Sequence, residues 1–332
     1  MRTAAPAIAA AGALAACTGV QNALQPSGEH AARVSVLWWG MLAVGTLVFL
    51  AVATLAALAV WRRRNDDAAD LEAGDRGRAR VVAGAVAATV AILFGVMVGS
   101  LWTGTANASL AGEGDPLVVE VTGHQWWWHI RYDDPVPARQ VVTANELHLP
   151  VGRTVELKLR SDDVIHSFWV PRLAGKVDMI PGRTNLLRIR ADEPGVFRGQ
   201  CAEFCGLQHA HMAMVVVAHP AAEWERWMEA QRRPAAPPAD PVRLRGEEVF
   251  LQSSCALCHA VRGSGAFGSA GPDLTHLASR RTLAAGTLPN TTGHLGAWIV
   301  DPQQVKPGSH MPPTELAPDE LRALLAYLQG LR

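Results

Sequence analysis

The chain has no surplus of charge of either sign: 30 basic and 30 acidic residues cancel over 332 positions. Nucleic-acid binding domains carry a basic excess, so that class of partner is excluded. Cysteine is scarce and odd in number, five in all, which excludes a simple framework of paired disulfides. The five divide as Cys17 alone, a pair at Cys201 and Cys205, and a pair at Cys255 and Cys258. Charge is missing altogether from residues 34–61 and 81–102, which run 28 and 22 positions without an ionisable side chain. At about 1.5 Å per helical residue, either run exceeds the ~30 Å hydrocarbon core of a bilayer. With 49% hydrophobic residues overall, and the apolar ones concentrated in the first third, the composition is that of a membrane protein.

What is present begins with a leader. Residues 1–16 hold one Arg and an Ala-rich apolar run ending Leu14-Ala-Ala-Cys17, the pattern of an export signal. Leu-Ala-Ala-Cys resembles a bacterial lipobox, which implies lipidation of Cys17; the alternative is an uncleaved leader with an incidental Cys. Trp38, Trp39 and Trp61 flank the first apolar run and Trp102 closes the second, as interfacial anchors do. Between the runs lie Arg62, Arg63, Arg64, Arg76, Arg78 and Arg80, whereas only Arg33 lies close before the first. Positive residues stay on the cytoplasmic side, so the connecting loop is expected inside and both termini outside.

Residues 117–121, 155–159, 186–190 and 214–218 read as strands, with Val155, Leu157 and Leu159 alternating with polar residues. Turn clusters at 150–152 and 181–182 separate them, and the expectation is an antiparallel sandwich with one face of each sheet buried. Near its end falls Cys201-Ala-Glu-Phe-Cys205-Gly-Leu-Gln-His209-Ala-His-Met212. Thiolate, imidazole and thioether are soft or borderline donors that suit copper and not magnesium or calcium. Two neighbouring thiolates can bridge a pair of copper ions, with His209 and Met212 as local ligands and a second His from elsewhere. His166, in Asp163-Val-Ile-His166-Ser-Phe-Trp-Val-Pro171, is the best remote choice. The four Cys and His groups also suit a tetrahedral zinc site, against which Met212 and the strand-rich context argue. His211 is expected to point away from the site.

These two stretches together resemble subunit II of haem-copper cytochrome c oxidases. The resemblance implies a cupredoxin-like fold and a dinuclear copper centre, CuA. It implies as ligands Cys201, Cys205, His166, His209, Met212 and the backbone carbonyl of Glu203. It gives the Glu203 side chain a second role as a magnesium ligand shared with subunit I, and it places Asp178, in Gly175-Lys-Val-Asp178-Met-Ile-Pro-Gly182, near the same contact. A solvated turn carboxylate is the alternative for Asp178. Gly123-His-Gln-Trp-Trp-Trp-His129 matches the family motif whose first Trp receives electrons from cytochrome c, which by position is Trp126. Filling the core is the alternative role for at least one of the three.

Residues 223–231 place Trp224, Trp227 and Met228 at helical spacing, expected to pack on the sandwich, and Pro-rich residues 232–241 form a semi-rigid linker. Beyond it, Cys255-Ala-Leu-Cys258-His259 is a c-type haem attachment sequence, with the two thiols as thioether donors and His259 under the iron. Met311 is the only Met after it and is the expected sixth ligand, which raises the haem potential. His310, His294 and His276 are the alternatives, each expected at the surface. Gly271-Pro272 resembles the segment whose Pro carbonyl fixes the axial ring, and Leu321, Leu324, Leu325 and Leu328 make an apolar stripe set to pack on Val249 and Phe250. The whole resembles a class I, all-α cytochrome c domain.

The chain thus divides into a leader (1–16), an extracytoplasmic segment (17–33), and transmembrane helices 34–61 and 81–102 around a cytoplasmic loop (62–80). A CuA sandwich (103–231), the linker (232–241) and a cytochrome c domain (242–332) follow. Neither apolar run holds a His, so oxygen reduction falls to another subunit. The resemblance implies subunit II of an aa3-type oxidase in a bacterial cytoplasmic membrane, with both cofactor domains on the periplasmic side. Its partners would be subunit I (haem a, haem a3-CuB), subunit III, membrane lipid and a soluble cytochrome c or similar donor. Two other readings keep the metals: a subunit of a copper-containing nitric oxide reductase, and a membrane-tethered copper store without a catalytic partner.

Overall fold

The computed structural model describes residues 19–63, 75–110 and 116–332, with no side chain described at 63, 75 or 76. Cys17, the leader and most of the arginine-rich loop lie outside the described residues. Two helices come first, α1 (Glu29–Arg63) and α2 (Asp75–Ala108). Both are long and apolar enough to cross a membrane. Each is apolar all round and not striped, and side chains such as Leu47, Phe49, Phe94 and Leu101 stand more than 60% exposed. A helix with no polar face and that much bare apolar surface needs a non-aqueous surrounding, so the pair fits a membrane anchor. The helices run past the charge-free stretches at both ends, since backbone hydrogen bonding does not stop where hydrocarbon does. Near the start of α1 and the end of α2, Arg33 Nη1 donates to Ala106 O at 2.6 Å and to Asn107 Oδ1 at 3.4 Å.

The second part is a ten-stranded sandwich followed by a helical domain. Its strands are β1 (Leu117–His124), β2 (Trp127–Tyr132), β3 (Val141–Ala144), β4 (Glu146–Pro150), β5 (Val155–Ser161), β6 (His166–Trp169), β7 (Val177–Met179), β8 (Asn185–Ile189), β9 (Gly195–Cys201) and β10 (Ala213–His219). They form two five-stranded sheets in the orders β3-β2-β1-β5-β8 and β4-β10-β9-β6-β7. The alternating residues Val119, Val121, Trp128, Ile130, Val155, Leu157 and Leu159 are all fully buried between them. The expected antiparallel arrangement is corrected at two places: β1 runs parallel to β5, and β10 parallel to β4. Side chains alternate with period two whichever way a neighbour runs, so the sequence pattern carries no strand direction.

The segment before α1 packs along the sandwich. Ser27 N donates to Arg172 O at 2.8 Å, Asp192 N donates to Ser27 O at 2.9 Å, and Glu29 pairs with Arg190. At the far side α3 (Ala221–Arg232) buries Trp224 and Met228 against the sheets, as its spacing predicts. His148 lies under Trp227, ring centroids 4.1 Å apart, with its Nδ1 2.8 Å from His219 Nε2. Burial lowers the His148 pKa, outweighing the hydrogen bond and charge of Glu146, and burial followed by the His148 charge lowers that of His219. Both rings are therefore neutral in the fold. The unfolded chain, with ordinary imidazoles near 6.5, binds more protons as pH falls. Stability is then full above about 6.5 and lost on acidification, at up to about 1.4 kcal/mol per pH unit and per ring. The thermal midpoint is expected to drop between pH 7.5 and 5.5, with a shallower slope in His148→Gln; a flat profile would mean that both rings titrate in the fold as they do in the unfolded chain.

The helical domain comprises α4 (Pro241–Gln252), the one-turn α5 (Cys255–Cys258), two-residue ladders β11 (Ala260–Val261) with β12 (Ala266–Phe267) and β13 (Thr282–Leu283) with β14 (Leu288–Pro289), then α6 (Thr292–Val300), α7 (Pro302–Val305) and α8 (Pro318–Leu328). Asp240 caps α4, its Oδ1 accepting from Arg243 N at 3.0 Å with Pro241 in the first turn. The buried face of α8 is Ala323, Leu324, Tyr327 and Leu328, with Leu321 and Leu325 half-buried beside it. The stripe is thus turned by one residue from the all-Leu expectation, because Tyr327 stacks on Phe250 with centroids 5.8 Å apart. Residues 232–235 are held to this domain: Arg262 Nη1 donates to Arg232 O at 3.3 Å and Ala235 N to Arg262 O at 2.8 Å.

Candidate functional site

Two strands of the second sheet and one loop build the first site. β6 opens on His166, β9 ends on Cys201, and the turn between β9 and β10 carries Cys205, His209 and Met212. Cys201 Sγ and Cys205 Sγ are 3.7 Å apart. Around them stand His166 Nδ1, 3.8 Å from Cys201 Sγ, His209 Nδ1, 3.6 Å from Cys205 Sγ, and Met212 Sδ, 3.8 Å from Cys205 Sγ. Glu203 O is 3.3 Å from Cys201 Sγ. All six groups implied by the resemblance are therefore brought together around the two sulfurs. Cys201, Cys205, His166 and Met212 are buried, in a pocket that a Cβ at Gly123 would invade at 2.8 Å from the His166 ring.

Donor chemistry and spacing fit a metal. A thiolate binds at about 2.3 Å, so two sulfurs 3.7 Å apart can both reach one ion at an angle of about 107°. The hydrogen bond between the two thiols lowers the Cys201 pKa against the opposing pull of burial, with a further contribution from His166, the direction that favours a thiolate donor. Burial works against a charged His166, but its hydrogen bonds to Asp163 and Cys201 outweigh that and raise its pKa. Asp163 Oδ1 lies 2.8 Å from His166 Nε2, which fixes the ring with Nδ1 facing the sulfurs. Asp163 sits inside the stretch that the sequence reading quoted, yet its role appears only once the β5–β6 turn folds it back.

Trp126 and Gln125 lie against the same loop, both donating to Cys205 O, from Nε1 at 3.0 Å and from Nε2 at 2.8 Å. The three consecutive tryptophans part company: Trp128 fills the core, Trp127 stacks on His124 at 4.5 Å, and Trp126 is 8% exposed beside the copper loop. Glu203 and Asp178 share one surface, where Lys176 Nζ lies 3.4 Å from Glu203 Oε2 and 3.9 Å from Asp178 Oδ1. Both carboxylates are nearly half exposed, and Phe204 beside them is 75% exposed. His211 is exposed, its ring 2.7 Å from Gln208 Oε1.

The second site is a cavity of about 330 Å³ lined by Cys255, Cys258, His259, Leu324 and Met311. That volume falls within the range of cofactor pockets. His259 Nδ1 donates to Pro272 O at 2.7 Å, leaving Nε2 free, and burial lowers its pKa so that the ring is a neutral ligand. A Cβ at Gly271 would stand 2.6 Å from the His259 ring, so that glycine keeps the space beside it. The residues present thus fit a haem held by two thioethers and His259. Of the alternatives to Met311, His276 is not at the surface: it is buried, with Nε2 3.1 Å from Arg233 O, because the linker folds over it. His294 is bonded to Thr291 at 2.7 Å, and His310 faces Trp126 at 6.2 Å between centroids. The same cavity is lined by Gln125, Trp126 and Trp127 of the sandwich, and Gln125 and Trp126 in turn donate to the Cys205 carbonyl.

Fold and sites together define a cupredoxin-like sandwich, with a soft-donor metal centre, joined to a helical haem-binding domain. Residues 117–219 match the family model of cytochrome c oxidase subunit II, periplasmic domain, and residues 244–332 match that of cytochrome c. Cytochrome c oxidase subunit 2 of Alkalihalophilus pseudofirmus is 41% identical over 66% of this chain and 63% of its own length. That of Bacillus subtilis is 33% identical, again over 66% and 63%. The chain therefore spans somewhat less than two thirds of these relatives. The crystal structure of the periplasmic domain of subunit II from Bradyrhizobium japonicum is 29% identical over 37% of this chain and 97% of that one, with a TM-score of 0.34.

Proposed function

We propose that the protein is the electron-accepting subunit II of an aa3-type cytochrome c oxidase. The observation that carries this reading is that Trp126 both lines the haem-type pocket and donates to the Cys205 carbonyl. Copper held by Cys201, Cys205, His166, His209, Met212 and Glu203 O, and a haem held by Cys255, Cys258, His259 and Met311, would supply reversible one-electron chemistry. The chain's own residues hold those ligands dry, orient His166 through Asp163 and His259 through Pro272, and keep the two sites on one rigid seam. The haem domain receives electrons from a soluble cytochrome c or similar donor and passes them past Trp126 to the copper domain. The copper domain delivers them to haem a of subunit I, for oxygen reduction coupled to proton translocation. The exposed surface with Glu203, Asp178 and Phe204 is the face for subunit I, where the two carboxylates would share a magnesium ion; subunit III completes the partner set.

The segment before α1 is hydrogen-bonded to the sandwich, which supports a common extracytoplasmic side for both, with the arginine-rich loop inside a bacterial cytoplasmic membrane. In that scheme Cys17 is the lipidated residue, and the segments divide at 16, 33, 61, 80, 102, 231 and 241. The full chain purified from membranes with its partners is expected to carry two coppers and one covalent haem c, with haem a and oxygen consumption driven by reduced cytochrome c. Nitric oxide reduction without oxygen use would favour the reductase reading. A lone chain that exchanges copper freely would favour the store.

A further inference from the structure

The chain has three lysines. Two are exposed and paired with carboxylates, Lys158 with Asp133 and Lys176 with Asp178 and Glu203. The third, Lys306, is 3% exposed and has no carboxylate partner among the described residues. Its ammonium donates to three carbonyls: Trp126 O at 2.8 Å, His211 O at 3.0 Å and Ala284 O at 3.2 Å. An ammonium has three protons to donate, so the shell is saturated. Two acceptors belong to the copper domain, while Lys306 itself and Ala284 belong to the haem domain. Burying a charge without a counter-charge is costly unless its hydrogen bonds are complete. Burial pulls the Lys306 pKa down to about 7, against a smaller upward pull from the neighbouring Cys205.

The loop that carries Lys306 also carries Met311. Gln303 Nε2 donates to Met311 O at 3.0 Å and to Ser309 O at 2.9 Å, and its Oε1 accepts from Gly308 N at 2.8 Å. From the copper loop, Gln208 Nε2 donates to Pro307 O at 2.7 Å. Further along the seam Ala213 N donates to Ala285 O at 2.9 Å, and the buried Glu146 carboxylate accepts from the amides of Arg281 and Thr282.

We propose that Lys306 is a positioning residue that fastens the Met311 loop of the haem domain to Trp126 and the copper loop, so that electrons cross from one fixed docked pose. The haem domain is a seated module and not a tethered one that swings between donor and copper. Trp126 lies beneath it, closed to soluble donors, which must deliver to the haem domain instead. The inference rests on the function proposed above for the two sites. It differs from that function in assigning the docking to a single side chain.

The test uses the full-length membrane protein loaded with haem and copper. Lys306→Met keeps the length of the stem and removes all three donors. Peptide-level hydrogen exchange over residues 281–287 and at Ala213 is expected to speed at least tenfold, with β5 unchanged. Transfer from the reduced haem domain to the copper domain is expected to slow at least tenfold and become dependent on solvent viscosity, while the optical spectra and midpoint potentials of both centres stay as in the unmodified protein. Unchanged exchange and an unchanged rate in the variant would overturn the proposal. So would a viscosity-dependent rate in the unmodified protein, a measurement that needs no variant. A chain that takes up haem but no copper would refute the function proposed for the first site, and the exchange measurement would still decide whether Lys306 holds the domains together.

Discussion

Replacing Cys201 with serine is expected to empty the first site. Both sulfurs lie 3.7 Å apart at the centre of the donor set, and every other donor is placed by its distance to one of them. A serine hydroxyl is a hard donor, does not ionise at neutral pH, and cannot replace a soft thiolate. Changes to groups that merely support a ligand cost about 10–100-fold in metal affinity, and removing a shared ligand costs more. On the function proposed above, copper content is expected to fall from two per chain to one or none, and electron delivery to the partner subunit to fall at least about 100-fold. A haem held by Cys255 and Cys258 should remain, because Cys255 packs on the helical domain's own core, separate from that of the sandwich. Metal analysis and the haem spectrum of the same sample read both halves. Retention of two coppers would sink the assignment of Cys201.

The second large effect reverses a propensity argument. Gly246 lies in the interior of α4, where alanine ordinarily stabilises a helix by about 1 kcal/mol. Here α4 crosses α8 so closely that an added Cβ would overlap Ala323 O and stand 2.7 Å from Tyr327 Cβ. Backbone cannot step aside as the end of a flexible side chain can, so the helices must separate, and overpacking of this kind costs about 1–3 kcal/mol or more. The crossing anchors the Phe250, Leu324 and Leu328 side of the haem-type cavity. Gly246→Ala is expected to lower the thermal midpoint of the haem domain by roughly 5–15 °C and to reduce haem incorporation, leaving copper content unchanged. A raised or unchanged midpoint would show that helix propensity governs this position.

These two outcomes mark different depths of legibility. The cysteine cluster is local: Cys201, Cys205, His209 and Met212 fall within a dozen residues, and Cys255, Cys258 and His259 within five. Chemistry carried by neighbours in sequence is visible before folding. The two membrane-length helices were equally plain, since apolar length is additive along the chain. His166 was reachable only through the resemblance and its apolar surroundings. Gly246 is one of 30 glycines, and nothing in its neighbours marks it as the crossing point.

Sequence alone determined the donor types, the Cys-x-x-Cys-His stretch, the two membrane-length helices and the order of the sandwich and helical domains, because each depends on residues close together along the chain. Tertiary structure decided which strands run parallel, which of three adjacent tryptophans touches the copper loop, and that His276 is buried. It also decided that Asp163 orients His166 and that Lys306 closes the seam between the domains. Those relations join residues up to 180 positions apart. They exist only when burial makes each unpaired polar group costly enough to demand a particular partner.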